Sequence, residues 1–213
     1  MKILVTGFEP FGGSRVNPSG QVVNRLEQMK IEGVELTPCI LPVDQAESVR
    51  VLLQNYQQAV PDVVLCLGEA SHRAGISIER VGINLMDYRI PDNQGNMVID
   101  QPVVPGGPAA YFATLPVRKI AEALSAVGIP AELSLSAGSF LCNQVLYTIL
   151  HTIALAQDPV QAGFIHLPSL PEQAAKQNQT IPSMSIETSL FGVVNAIECI
   201  RAWRIEKGVE LLV

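Results

Sequence analysis

Cys142 stands in the run Ser136-Ala137-Gly138-Ser139-Phe140-Leu141-Cys142-Asn143, where a strand-like stretch at 132–136 gives way to apolar positions at helical spacing (142, 145, 146, 149, 150 and 153). A thiol in the first turn of a helix lies beside unpaired backbone N–H groups and the positive end of the macrodipole. Both favour thiolate, the nucleophilic form of cysteine. Most free cysteines are small buried hydrophobes, so a chemical role needs partners.

A nucleophilic thiol needs a base, and the base needs an orienting group. The chain has three histidines. His151 belongs to the helix that Cys142 opens and lies about 13 Å along its axis, out of reach of the sulfur. His166 sits near the carboxyl end of the strand-like run Gly163-Phe164-Ile165-His166-Leu167, shortly before Pro168. His72 follows a central strand, also a legitimate place for an active-site group in an α/β sheet. For the carboxylate, Glu79 interrupts Ile76-Ser77-Ile78-Glu79-Arg80-Val81. Alternation puts Glu79 on the face opposite Ile76 and Ile78, where burial demands a partner: an imidazole, or an ion pair with Arg80 or Arg89. Asp87 and Asp92 are alternatives with easier access to solvent.

The elements that must hold these residues alternate along the chain. Strands are expected over 2–7, 34–43, 62–67, 76–86, 132–136 and 163–167; Pro38 marks the second as an edge or bent strand. Helices are expected over 18–30, 44–59, 115–127, from Cys142 onward, and over 185–205. This pattern predicts an α/β fold: a single domain over 1–213, a three-layer α/β/α sandwich around a mixed, mostly parallel sheet. Residues 87–108, rich in proline and glycine, read as an irregular stretch serving the site or a subunit contact.

With 213 residues, 48% hydrophobic and 16% charged, the chain has material for a large core. A net charge of −6 without a basic tract argues against nucleic acid or an anionic membrane as partner. No signal peptide or membrane-spanning run is read, and Cys39, Cys66 and Cys199, without any CxxC pair, read as core thiols in a reducing cytoplasm. Gly7, Gly12 and Gly13 match no phosphate-binding motif; close backbone approach to a ligand is the better use.

Five segments, in order, resemble the pyroglutamyl-peptidase I (pyrrolidone-carboxylate peptidase) family of cysteine peptidases: Gly7-Phe8-Glu9-Pro10-Phe11-Gly12-Gly13 with Asn17-Pro18; Ile78-Glu79-Arg80; Arg89-Ile90-Pro91-Asp92-Asn93; Ser136 to Asn143; and Gly163 to Pro168 with Pro171-Glu172-Gln173. The resemblance implies a catalytic Cys142, His166 and Glu79, and removal of an amino-terminal pyroglutamyl residue from peptides through a thioester. It implies no cofactor or metal, and a homotetramer in the cytoplasm. Phe8 and Phe11, plain core residues by pattern alone, become ring-binding aromatics. Ile90, Phe140 and Leu141 would close the pocket, and Arg89 would assist backbone N–H groups at the oxyanion. Glu69 would sit close to that pocket. The competing readings are a phosphorylase-like enzyme of similar architecture and a non-catalytic binding module.

Overall fold

Short runs that are apolar at every position need cover on both faces, and they form the middle of the sheet. In the computed structural model, which describes residues 1–176 and 180–208, the order is β1 (Lys2–Phe8), α1 (Pro18–Leu26), β2 (Glu35–Leu41), α2 (Glu47–Ala59), β3 (Val63–Glu69), β4 (Ile76–Glu79), β5 (Val81–Ile83), β6 (Ala110–Phe112), α3 (Val117–Ala126), β7 (Ala131–Ser134), α4 (Leu141–Ala156), β8 (Gln161–Leu167), α5 (Pro171–Ala174) and α6 (Ile186–Glu206). The expected domain over 1–213 includes 177–179 and 209–213, which lie outside the described residues.

Six strands form one sheet in the order β2-β1-β3-β8-β4-β7. β2, β1, β3 and β8 are parallel; β4 runs against β8 and carries β7 parallel to itself. Alternation splits the core in two. Ile3, Val5, Leu65, Ile78 and Ile165 pack with residues of α1, α3 and α6. Leu4, Val64, Cys66 and Phe164 pack with residues of α2 and α4. The result is the expected three-layer α/β/α arrangement with a mixed, mostly parallel sheet, and β2, with Pro38, lies at its edge.

Several boundaries differ from the sequence reading for local reasons. The Asp44 carboxylate accepts from Ala46 N and Glu47 N, so α2 begins after it rather than at it. The strand expected over 76–86 breaks at Arg80, and β5 leaves the sheet to pair antiparallel with β6, a short strand the sequence did not reveal. Gly82 explains the departure: its backbone lies so close to α4 that a Cβ would sit 3.1 Å from Leu146 Cγ and Tyr147 N. Residues 87–108 stay irregular yet organised. The buried Asp92 carboxylate accepts from Gln45 N, Gln94 N and Asn96 N, and so serves the loop rather than catalysis.

Gly7 serves packing rather than ligand approach, for a Cβ there would lie 2.6 Å from the Ser19 carbonyl oxygen at the start of α1. Gly12 and Gly13 adopt positive φ with open space around them. Gly7→Ala is expected to lower unfolding free energy in urea by about 1–3 kcal/mol through overpacking. Unchanged stability would contradict this contact.

Candidate active site

The antiparallel seam between β4 and β8 assembles the first two groups. Its register sets Ser77 opposite His166 and Glu79 opposite Phe164, so Glu79 and His166 are diagonal neighbours on one face. His166 Nδ1 lies 2.7 Å from Glu79 Oε1. Glu79 is fully buried and His166 is 4% exposed. Burial alone would raise the Glu79 carboxyl, but the His166 bond and the nearby Arg73 charge outweigh it and hold the group below the ordinary carboxylate range. An ionised carboxylate only accepts, so Nδ1 carries a proton and Nε2 is left as the basic nitrogen. The cation paired with Glu79 is Arg73 (Nη1 to Oε1, 2.5 Å) rather than Arg80 or Arg89. No local sequence pattern marks Arg73; the one available signal was that a buried carboxylate requires a cation or donor.

Cys142 is the second residue of α4. Phe140 precedes the helix in extended conformation and supplies no side-chain cap, leaving first-turn N–H groups without a side-chain acceptor. Asn143, fully buried, anchors that turn: its amide accepts from Ile83 N and donates to Ile83 O and Leu85 O, each at 2.9 Å. Ser139 Oγ donates to Asp87 O at 2.6 Å. Behind the sulfur lies Gly68 of β3, in register with His166. A Cβ there would stand 2.9 Å from Cys142 Sγ and 2.7 Å from Phe164 Cζ. The sulfur therefore rests on bare backbone beside the strand that carries the imidazole.

The thiol is not the acidic group that its helix position suggested. Burial pushes it well up, the Glu79 and Glu69 carboxylates push it further, and Arg73 opposes them weakly. Among the described residues Cys142 makes no side-chain hydrogen bond. Cys142 and His166 line one cavity of about 410 Å³.

The family described as pyroglutamyl peptidase matches residues 1–202. The pyrrolidone-carboxylate peptidase of Gloeobacter violaceus is 48% identical over 202 residues, spanning 95% of this chain and 98% of its own. That of Vibrio vulnificus is 47% identical over 192 residues, 90% of this chain and 89% of its own. A solved structure of a mutant pyrrolidone carboxyl peptidase from the hyperthermophile Pyrococcus furiosus has a TM-score of 0.92 at 44% identity, covering 95% of this chain and 99% of that one. The chain belongs to the pyroglutamyl peptidase family.

In this family member the cavity has an apolar wall of Phe11, Ile90, Phe140 and Ala137, faced by Glu69, Ser71, His72, Arg73, Asp87 and Arg89. Phe140 packs edge-on against Tyr88, ring centroids 4.6 Å apart. Tyr88 was not singled out from sequence; its hydroxyl donates to Gln144 Oε1. Phe8 and Leu141 are almost wholly buried and line only a small crevice beside Cys142, shared with Phe11 and Phe140. His72 does reach the cavity, but the carboxylate is bonded to His166. His151 lies apart, bonded to Tyr111 and stacked on Tyr147. Glu69 accepts from Ser169 Oγ and Gln173 Nε2. Among the described residues no group of three His, Cys, Asp or Glu side chains is arranged to hold a metal ion, and no helix is long and apolar enough to cross a membrane.

Two outcomes follow from this geometry. The 240-nm thiolate absorbance of the protein minus that of Cys142→Ser is expected to show no step between about pH 6 and pH 8. A step there would contradict a neutral resting thiol. Gly68→Ala is expected to keep the fold but slow alkylation of Cys142 by iodoacetamide; an unchanged rate would contradict the packing of sulfur on β3.

Proposed function

We propose that Cys142, His166 and Glu79 perform the chemistry of a cysteine peptidase that removes the amino-terminal pyroglutamyl residue from peptides. The observation that carries this assignment is the buried 2.7 Å contact between His166 Nδ1 and Glu79 Oε1 in the wall of the cavity that also holds Cys142. A pyroglutamyl ring is an uncharged lactam without a free amine. It suits the apolar wall of Phe11, Ile90 and Phe140, with Phe8 and Leu141 shaping the crevice beside the sulfur.

Burial and the nearby carboxylates push the Cys142 thiol up, and on this reading His166 acts first as a base. Cys142 Sγ attacks the carbonyl carbon of the scissile amide while its proton passes to His166 Nε2. The oxyanion is met by first-turn N–H groups of α4, with Arg89 assisting; one such donor contributes roughly 3–4 kcal/mol to the barrier reduction. As the C–N bond breaks, the imidazolium gives its proton to the leaving amine, and a thioester remains. Water then attacks the thioester, His166 takes its proton, and collapse releases pyroglutamate as the proton returns to sulfur. Glu79 keeps the ring in one tautomer and stabilises the imidazolium through both halves.

The same reading extends to one catalytic domain over 1–213, a homotetramer, and a reducing cytoplasm that keeps Cys142 as a thiol. Exposed Ile99, Phe112 and Leu155 supply apolar surface for subunit contacts.

Incubation with a pyroglutamyl anilide and its prolyl counterpart tests the assignment. Only the former is expected to be cut. Cys142→Ser is expected to lower kcat/KM by about 10⁴-fold or more, and Glu79→Gln by about 10²–10⁴-fold with the fold retained. Near-native turnover by either variant would overturn its role.

A further inference from the structure

Glu79 holds two partners with one oxygen. Oε1 accepts from His166 Nδ1 and from Arg73 Nη1, while the buried Oε2 has no hydrogen-bond partner within bonding distance among the described residues. Arg73 also reaches across with its second nitrogen, Nη2, which donates to the Ser136 carbonyl oxygen at 2.8 Å. Ser136 lies between β7 and α4, in the lead-in to Cys142, and its Oγ accepts from Gly138 N where the chain turns with φ of +80°. One guanidinium thus ties together the β3–β4 connection, the acid beneath the imidazole, and the segment that delivers the nucleophile. The planar fork of arginine suits this bridging; the single ammonium of lysine does not reproduce it.

Sharing an oxygen has an electrostatic consequence as well. A carboxylate already paired with a guanidinium attracts an imidazolium less, and the guanidinium repels that second positive charge directly. The other charged or titratable groups around the ring are Glu69 at the end of β3, Cys142 on α4, and His72, Asp87 and Arg89 from the loops of the same cavity. Of the two arginines that line this cavity, Arg73 is the one bonded to the carboxylate that His166 depends on.

We propose that Arg73 is a positioning residue that fastens Glu79 to the nucleophile's lead-in segment and, by sharing the Glu79 carboxylate, weakens its hold on a positive charge at His166. This rests on the roles of Cys142, His166 and Glu79 given above.

The test uses the full chain, with Arg73→Gln and Arg73→Lys, a pyroglutamyl anilide across about pH 5–9, thermal melting, and NMR titration of the His166 ring. With the melting transition retained, kcat is expected to fall about tenfold or more in both variants while KM stays within about threefold. In Arg73→Gln the acid limb of kcat/KM and the ring titration should both move to higher pH, because an imidazolium facing an unshared carboxylate persists longer as protons are withdrawn. Arg73→Lys, which keeps the charge, should show little movement of either. A folded Arg73→Gln protein whose acid limb and ring titration stay in place overturns the proposal, even if activity falls. So does a kcat within about threefold of native in folded Arg73→Lys, the variant that carries the test should the Gln form fail to fold. If the unaltered protein leaves the anilide uncut, the assignment of function fails instead, and the ring titration still reports on Arg73.

Discussion

The bond between Glu79 and His166 places an ionised carboxylate where no solvent reaches it, and much of the site's behaviour follows from that. Desolvating such a group costs several kcal/mol unless donors replace the lost water. Here the donors are Nδ1 of the ring and the guanidinium of Arg73. With Nδ1 committed, the ring is held in one tautomer and has one basic nitrogen left. The reversed direction of β4 makes the bond possible: the end of one strand lies beside the interior of the other, and the diagonal pair falls on the α2–α4 side of the sheet. That is the side from which α4 delivers Cys142.

Thiol acidity does not distinguish Cys142 from the other cysteines. Burial pushes Cys39 up to about 11 and Cys66 up to about 12, and Cys142 is pushed up too. What sets Cys142 apart is its access to the cavity, the uncapped helix start around it, and an imidazole in the same wall. In the proposed mechanism the proton therefore moves during attack, and the quality of the base matters more than the resting charge of the sulfur. Gly68 and Asn143 contribute by geometry. One leaves room for the sulfur against β3, and the other pins the first turn of α4 to the chain around β5.

The layers of the fold were legible because strand and helix periodicities name the buried faces directly. Alternation over 76–79 put Glu79 on a covered face, and three histidines left few bases to weigh, with placement at the end of a strand favouring His166 over His72 and motif resemblance agreeing. Alternation is blind to strand direction, however, so the reversal of β4 could not be read, nor the departure of β5 toward β6. Arg73 was missed because its contacts with Glu79 and Ser136 come from a connection between strands, where no periodicity operates. Phe8 was assigned to the pocket by its motif, but as the last residue of β1 it is drawn into the core and reaches only the crevice. The thiol's acidity was misjudged because a helix terminus is a local feature, whereas desolvation belongs to the tertiary structure.

On the proposed reading, Glu79 fixes a proton on His166 Nδ1 and leaves Nε2 to accept from sulfur. Nitrogen-15 NMR of the labelled ring at neutral pH measures this directly. A strongly deshielded Nδ1–H proton and an unprotonated Nε2 are expected, with the Nδ1–H signal displaced in Glu79→Gln. A proton on Nε2 in the unaltered protein at that pH, as either the other tautomer or an imidazolium, would contradict it.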